Sequence, residues 1–195
     1  MDFSVVRTNL FRGIKLRHMV IYRLCSILLA LLCLGVAALG TFVCPKHAKF
    51  PGQLARHRLA GLLLGLVVLC WSAKEGAAML PERFTTPIWL LVPIVAAGGW
   101  FLLDFLFVRA FGGFLVLLTN YLIQHAFAYY CGFRSFYCIM ALVWGLGGMA
   151  LIAWPWLMRD SLELLTRQPR SRPFFWAFCI LSALTFIFLP FCGRS

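Results

Sequence analysis

The sequence predicts an all-α, polytopic transmembrane helix bundle, and three observations lead to this fold class. Hydrophobic residues make up 63% of the 195 residues and charged residues only 12%, whereas soluble domains are about half apolar and about a quarter charged. The mean hydropathy is +0.90. The apolar residues are gathered into runs of about 20, which is the length of a helix that crosses a bilayer. A bilayer is therefore the solvent that this composition fits.

Six apolar runs are the predicted spans, and they cover about residues 21–43, 59–80, 87–108, 111–130, 136–157 and 174–189. Runs three and four form one stretch of 44 residues. As a single helix this stretch would be about 66 Å long, which is twice the hydrocarbon thickness. It must therefore fold back, and we expect the turn at residues 109–113, where Gly112 and Gly113 permit one.

These runs form a single predicted transmembrane domain, residues 21–191. A basic N-terminal lead, residues 1–20, precedes it, and residues 192–195 form a short tail. The connections are too short for a soluble domain. The basic connection 158–173 is expected to contain a short helical region, capped by Asp160 or Ser161 and ended by Pro169.

The distribution of Lys and Arg does not orient the predicted bundle. With six spans, the 18 Lys and Arg residues divide equally between the two sides of the membrane. If the first run were instead a re-entrant or interfacial segment, most of them would lie on one side, as the positive-inside rule expects. The alternative is therefore five spans plus such a first segment. We expect about six spans, because run one is too apolar to lie on a surface as an amphipathic helix.

The net charge of +12 would indicate nucleic-acid binding in a soluble protein. Here the basic residues flank apolar runs, so we expect a bilayer with anionic headgroups at the basic loops as partner, and no nucleic acid. A multi-pass location in the cell membrane follows, with a bacterial inner membrane assumed and an organelle membrane compatible. Small residues in the runs indicate close helix packing, and with it other membrane subunits or self-association as partners. They are Gly61, Gly65, Ala141, Gly145 and Gly148.

Run four carries the most polar side chains. Asn120 and Gln124 share one helix face, and Tyr121, His125 and Tyr129 form a neighbouring stripe. Polar groups in lipid are costly unless paired, so this region should face other helices or a cavity. One interpretation is an intramembrane site for a quinone headgroup, a proton relay or a substrate amide. The interpretation we favour is hydrogen bonding between helices that holds the bundle together.

One acidic residue, Asp104, lies in run three, five residues before Arg109. Near the end of a span, a long cationic side chain reaches the headgroups at little cost. We therefore favour a boundary ion pair between Asp104 and Arg109 over a proton-carrying role for Asp104.

Motifs for catalysis and metal binding are missing from the sequence. It has no P-loop, HExxH, GxSxG or paired-carboxylate motif, and its eight cysteines contain no CxxC. A single intramembrane histidine, His125, does not make a bis-histidine haem site. We therefore expect no catalytic residue, metal or cofactor. Free thiols are expected as well, with a disulfide among Cys44, Cys131 and Cys192 as the alternative.

From these patterns we expect a structural or accessory subunit of a membrane assembly rather than an enzyme. The first alternative is a small carrier or channel for a polar or anionic solute, which would use the polar residues of run four. The second alternative is a quinone- or redox-linked membrane protein.

Overall fold

The computed structural model describes residues 3–38, 58–79, 81, 85–102, 105–128, 133–167 and 172–192, and the structural statements below concern these residues alone. Their regular structure is entirely helical, so the predicted all-α class is confirmed. The helices are α1 (Phe3–Ala38), α2 (Arg58–Met79), α3 (Thr85–Leu102), α4 (Leu106–Ala128), α5 (Arg134–Ala153), α6 (Trp156–Arg167) and α7 (Arg172–Cys192).

Five helices are long and apolar enough to cross a membrane, which supports the polytopic bundle. The spanning parts are Met19–Ala38 of α1, Leu59–Ala78 of α2, and all of α4, α5 and α7. The apolar part of α3 is shorter, Pro87–Trp100. The first run is one continuous helix as far as Ala38, so its described part does not turn back as a re-entrant segment. The predicted basic lead is also helical, from Phe3 onward.

The predicted turn at residues 109–113 is wrong. Helix α3 ends at Leu102 and α4 begins at Leu106, while Phe105 has a left-handed backbone with φ of 60°. Gly112 lies inside α4, where it meets α5 instead of forming a turn. A Cβ atom built on Gly112 would lie 2.6 Å from the carbonyl oxygen of Gly148. This glycine is therefore needed for close helix packing, a role that sequence spacing did not separate from turn formation.

Helices α2 and α4 run parallel, and this requires α3 to pass back between their ends. Gly61 lies against the backbone of Phe107 near the start of both helices, and Val68 lies beside Gly113 further along. We call the membrane face where α2 and α4 begin the near face, and the opposite one the far face. Since α3 leaves the end of α2 and leads to the start of α4, it runs from the far face to the near face. Its 18 residues reach about 27 Å, close to the hydrocarbon thickness.

The remaining contacts complete a bundle in which six of the described helices, α1 to α5 and α7, alternate in direction. Gly112 and Gly148 pair α4 with an antiparallel α5. Helix α7 is antiparallel to α1, because Ser26 lies against Phe186 and Arg23 lies 4.8 Å over the ring of Phe191. The bundle core contains large, fully buried side chains of α1, α4, α5 and α7. They are Tyr22, Leu29, Leu118, Leu122, Tyr137 and Phe186.

Helix α6 follows α5 at the near face and is amphipathic. It begins at Trp156, directly after Pro155, so the predicted caps are wrong: Asp160 and Ser161 lie inside the helix. Proline has no N–H to lose at a helix start, which explains this earlier boundary. The polar side carries an exposed ion pair between Arg159 and Asp160 at 3.2 Å. The other side exposes Leu157 and Leu164, as expected for a helix at the membrane surface.

Adjacent glycines of α5 allow a matched test of helix packing. A Cβ atom on Gly148 would lie 2.8 Å from the carbonyl oxygen of Gly112, whereas one on Gly147 would meet nothing within 4 Å. We expect Gly148→Val to lower the free energy of unfolding by about 1–3 kcal/mol, because the two backbones must move apart. Gly147→Val should change it little. Thermal unfolding in detergent checks both variants, and equal effects would contradict this packing.

The path of α3 can be tested by labelling single cysteines, introduced into a chain without its native cysteines, from one side of sealed vesicles. Six passes place Pro81 and Ser135 at the far face and Ser161 at the near face. A membrane-impermeant maleimide should therefore label Pro81→Cys and Ser135→Cys from the same side, and Ser161→Cys from the other. Labelling of Pro81→Cys and Ser161→Cys from the same side would show that α3 does not cross.

Candidate functional site

The polar region predicted in run four is divided between two sides of α4. Tyr121 and His125 are half-buried and face the bundle, while Asn120 and Gln124 are exposed. Successive residues of a helix are about 100° apart, so neighbouring positions in sequence point to different surroundings. Tyr129, the last residue of the predicted stripe, lies outside the described residues.

The inward side chains join residues of two other helices in what we call the inner polar cluster: Tyr22, Ser26, Tyr121, His125 and Tyr137. The ring centroid of His125 lies 4.0 Å from that of Tyr121 and 6.4 Å from that of Tyr22. Tyr22 is in turn 6.2 Å from Tyr137. The cluster therefore connects α1, α4 and α5 through aromatic contacts.

Ser26 is the centre of the hydrogen bonds in this cluster. Its hydroxyl donates to the carbonyl oxygen of Phe186 in α7 at 2.6 Å. Its oxygen lies 3.1 Å from the hydroxyl of Tyr137, which therefore donates to it. Ser26 and Tyr137 are both fully buried. One serine thus links three helices by hydrogen bonds, where the alternative would be an unpaired polar group in an apolar core.

His125 also bonds within its own helix. Its Nδ1 lies 2.9 Å from the carbonyl oxygen of Tyr121. A carbonyl oxygen only accepts hydrogen bonds, so Nδ1 carries a proton and donates. This bond and the close, tilted ring contact with Tyr121 hold the imidazole ring in place between Tyr22 and Tyr121.

Tyr22, Ser26 and Tyr137 were not among the residues that the sequence singled out. Each is a polar residue in or next to an apolar run, and this position was the feature of the sequence that could have identified it. A requirement that every polar group in a span have a partner would have selected them. It would not have paired them, because they come from helices far apart in sequence.

One face of α4 forms a row that we call the outer stripe, and this row is half-buried from Arg109 to Val116 and exposed from Asn120 onward. Its members recur every three or four residues and thus share one helix face: Arg109, Gly113, Val116, Asn120, Gln124 and Phe127. Asn120, Gln124 and Phe127 are exposed. Among the residues that the structure describes, neither Asn120 nor Gln124 makes a hydrogen bond. Two amides of α4 are therefore unpaired within the described chain, on a surface that a bilayer would surround.

The small residues singled out for packing lie at helix contacts. Gly61 lies against the backbone of Phe107, and a Cβ atom on Gly65 would be 3.8 Å from Ala110. On α5, a Cβ atom on Gly145 would lie 2.8 Å from the hydroxyl oxygen of Thr119. Two residues complete the set: Gly148 faces Gly112, and Ala141 is fully buried in the core.

The predicted ion pair concerns Arg109 and Asp104, of which Asp104 lies outside the described residues. Arg109 is in the first turns of α4 rather than in a turn between spans. Its Nε is buried and has no hydrogen-bond partner in the described part of the chain. The side chain lines a cleft of about 180 Å³ between α2, α3 and α4, beside Gly61 and Gly99.

The described residues offer little for metal or redox chemistry. They contain no group of three or more His, Cys, Asp or Glu side chains placed to hold a metal ion. Among the described residues, no disulfide is formed by Cys25, Cys33, Cys70, Cys138, Cys179 or Cys192, while Cys44 and Cys131 lie outside the described residues. The polar groups of this site are hydrogen-bonded inside the bundle at Ser26, and they are unpaired among the described residues at Asn120 and Gln124.

No family model, curated protein or solved structure matches this chain.

Two buried serines give a matched test of the inner polar cluster. Ser26 bonds to a neighbouring helix, whereas the bond of Ser182 goes to Phe178 of its own helix. We expect Ser26→Ala to lower the free energy of unfolding by about 0.6–1.7 kcal/mol, because the contact between helices loses its hydrogen bond. Ser182→Ala should cost less, as measured by unfolding in detergent. A cost for Ser182→Ala equal to or above that of Ser26→Ala would contradict the role given to Ser26.

Proposed function

We propose that this chain is a structural or accessory subunit of a membrane assembly, and that it binds its partner through the outer stripe of α4. The observation that carries the proposal is the pair of exposed amides, Asn120 and Gln124, without hydrogen bonds among the described residues. Polar side chains on a surface that faces lipid indicate that another helix covers that surface in the assembled state.

The depth of these two amides in the membrane makes it energetically costly to leave them without hydrogen bonds. Asn120 is three residues from the middle of α4, or about 5 Å along the helix axis, and Gln124 is about 10 Å from it. Both are within the hydrocarbon layer, whose half-thickness is about 15 Å. Leaving one amide without a partner costs on the order of 1–3 kcal/mol in proteins, and more against pure hydrocarbon. A helix that covers the stripe and bonds to both amides removes this cost.

The inner polar cluster supports the same proposal. Ser26 and Tyr137 bond to each other and to a backbone carbonyl group, and they are fully buried. His125 lies between the rings of two tyrosines, Tyr22 and Tyr121. Groups arranged in this way hold helices together.

The carrier or channel alternative is less well supported by the arrangement of run four. A solute path would need Asn120, Gln124 and His125 around one cavity, but the amides lie on the outside of α4 and His125 lies toward the bundle. The cleft between α2 and α3, beside Ala73, Leu91 and Val92, has a mainly apolar lining.

Replacement of both amides tests the proposed function. We expect the wild-type chain, extracted from its own membrane in a gentle detergent, to elute as an assembly larger than one chain. The double variant Asn120→Leu and Gln124→Leu should elute as a free, folded chain. Loss of even 1.4 kcal/mol weakens binding tenfold, and two amide contacts supply about that much. The measurement is native mass together with thermal unfolding.

The control is Ser72→Leu, which removes another exposed polar side chain from a span, on α2. This variant should keep the assembly intact. A wild-type chain that is a free monomer in gentle detergent would contradict the proposal, and so would a double variant that keeps its partner.

A further inference from the structure

We infer that the partner covering the outer stripe is a second copy of this chain, an inference that rests on the proposed function. The two copies would meet with α4 against α4, crossing at Asn120.

The first argument is the chemistry of the carboxamide group. Asn and Gln side chains each carry two N–H donors and one acceptor oxygen, so an amide pairs with an identical amide by giving one bond and accepting another. A twofold interface requires this property, because each residue near the axis meets itself. A lone carboxylate or ammonium group at the same place would repel its own copy. Asn120 and Gln124 are the exposed polar side chains on the bilayer-embedded part of the stripe, and both are self-complementary.

The second argument is the apolar flank beside the amides. Leu142, Leu146 and Met149 of α5 are each about half exposed. Each of these three residues directly follows a small residue of α5, namely Ala141, Gly145 or Gly148. Gly145 and Gly148 lie at the contact with α4, and Ala141 lies in the adjoining core. These apolar side chains therefore continue the exposed surface from α4 onto α5. A second copy that crosses at Asn120 would pack on them by van der Waals contact, which drives helix association in lipid.

The third argument concerns the charge on the stripe. Arg109 lies eleven residues before Asn120, or about 16 Å along the helix. Helices that cross at Asn120 at about 40° diverge by roughly 11 Å over that length, in addition to the usual helix separation of about 8 Å. The two arginines would then be farther apart than the Debye length of about 8 Å near the membrane surface. At the other end, Phe127 lies under Arg134 of its own chain at 5.4 Å, which adds an apolar ring to the interface.

The experiment uses the purified full-length chain alone in lipid vesicles at low density. We expect the wild-type chain to form pairs, counted by stepwise photobleaching of one dye per chain. The double variant Asn120→Leu and Gln124→Leu should require at least tenfold higher density to pair. Both replaced residues are exposed, so the variant keeps the core contacts, and thermal unfolding confirms its fold.

Disulfide cross-linking then tests the position of the axis. In a chain without its native cysteines, Asn120→Cys should form a covalent dimer under mild oxidation, because a residue on the axis meets its own copy. The matched control is Leu184→Cys, an exposed position on α7, which should remain uncrosslinked. Equal cross-linking at both positions would overturn the α4 interface.

The outcomes separate this inference from the proposed function. If the purified chain stays single in vesicles while its assembly in native membranes still depends on Asn120 and Gln124, the partner is another membrane protein. The second-copy inference is then overturned and the proposed function stands. If the chain is single in vesicles and its native assembly survives the double variant, both are overturned.

Discussion

The contact between Gly112 and Gly148 is the interaction on which the rest of the bundle depends. Each glycine lies where a Cβ atom would collide with the other backbone, so the backbones of α4 and α5 come close together at this point. Lipid chains are as apolar as leucine, and helices in a bilayer gain little from hiding apolar surface. Helices in a bilayer are stabilised by close van der Waals packing, and the contact between Gly112 and Gly148 permits such packing. One turn or two further along, Thr119 fits against Gly145 in the same interface.

The tight pairing fixes α4 at the centre of the molecule. Helix α5 covers one side of it, α2 a second at Gly61, and α1 a third at Tyr22 beside His125. The remaining side is the outer stripe. The exposure of Asn120 and Gln124 therefore follows from how α4 is packed: three of its sides are used within the chain, and the fourth carries its two amides.

The fold class and the approximate spans were predictable from the sequence because hydropathy depends on composition over about 20 residues. The positions where the helices begin and end were less predictable. A glycine pair suits both a turn and a close helix contact, and only the position of Gly148 shows which applies at Gly112. The helix start at Trp156 was missed for a similar reason, since Asp160 is a good cap by type but lies inside the helix.

The candidate site was predictable only in part, for a geometric reason. Spacing grouped Asn120 with Gln124, and Tyr121 with His125, because those relations lie within one helix. Which group faces inward depends on the neighbouring helices. The partners of Ser26 come from α5 and α7, and no local pattern in the sequence indicates them.

The pairing of α1 with α7 also sets the order in which the protein is completed. Ser26 and its acceptor at Phe186 are 160 residues apart in the chain. A ribosome adds about 5–20 residues per second, so α1 is in the membrane for roughly 10–30 s before the helix it packs against exists. During that interval Ser26 lacks its acceptor in α7, and until α5 is made it also lacks its donor, Tyr137. Helix α1 thus waits for a neighbour that is synthesised much later, and any stop in translation before α7 leaves it without that neighbour.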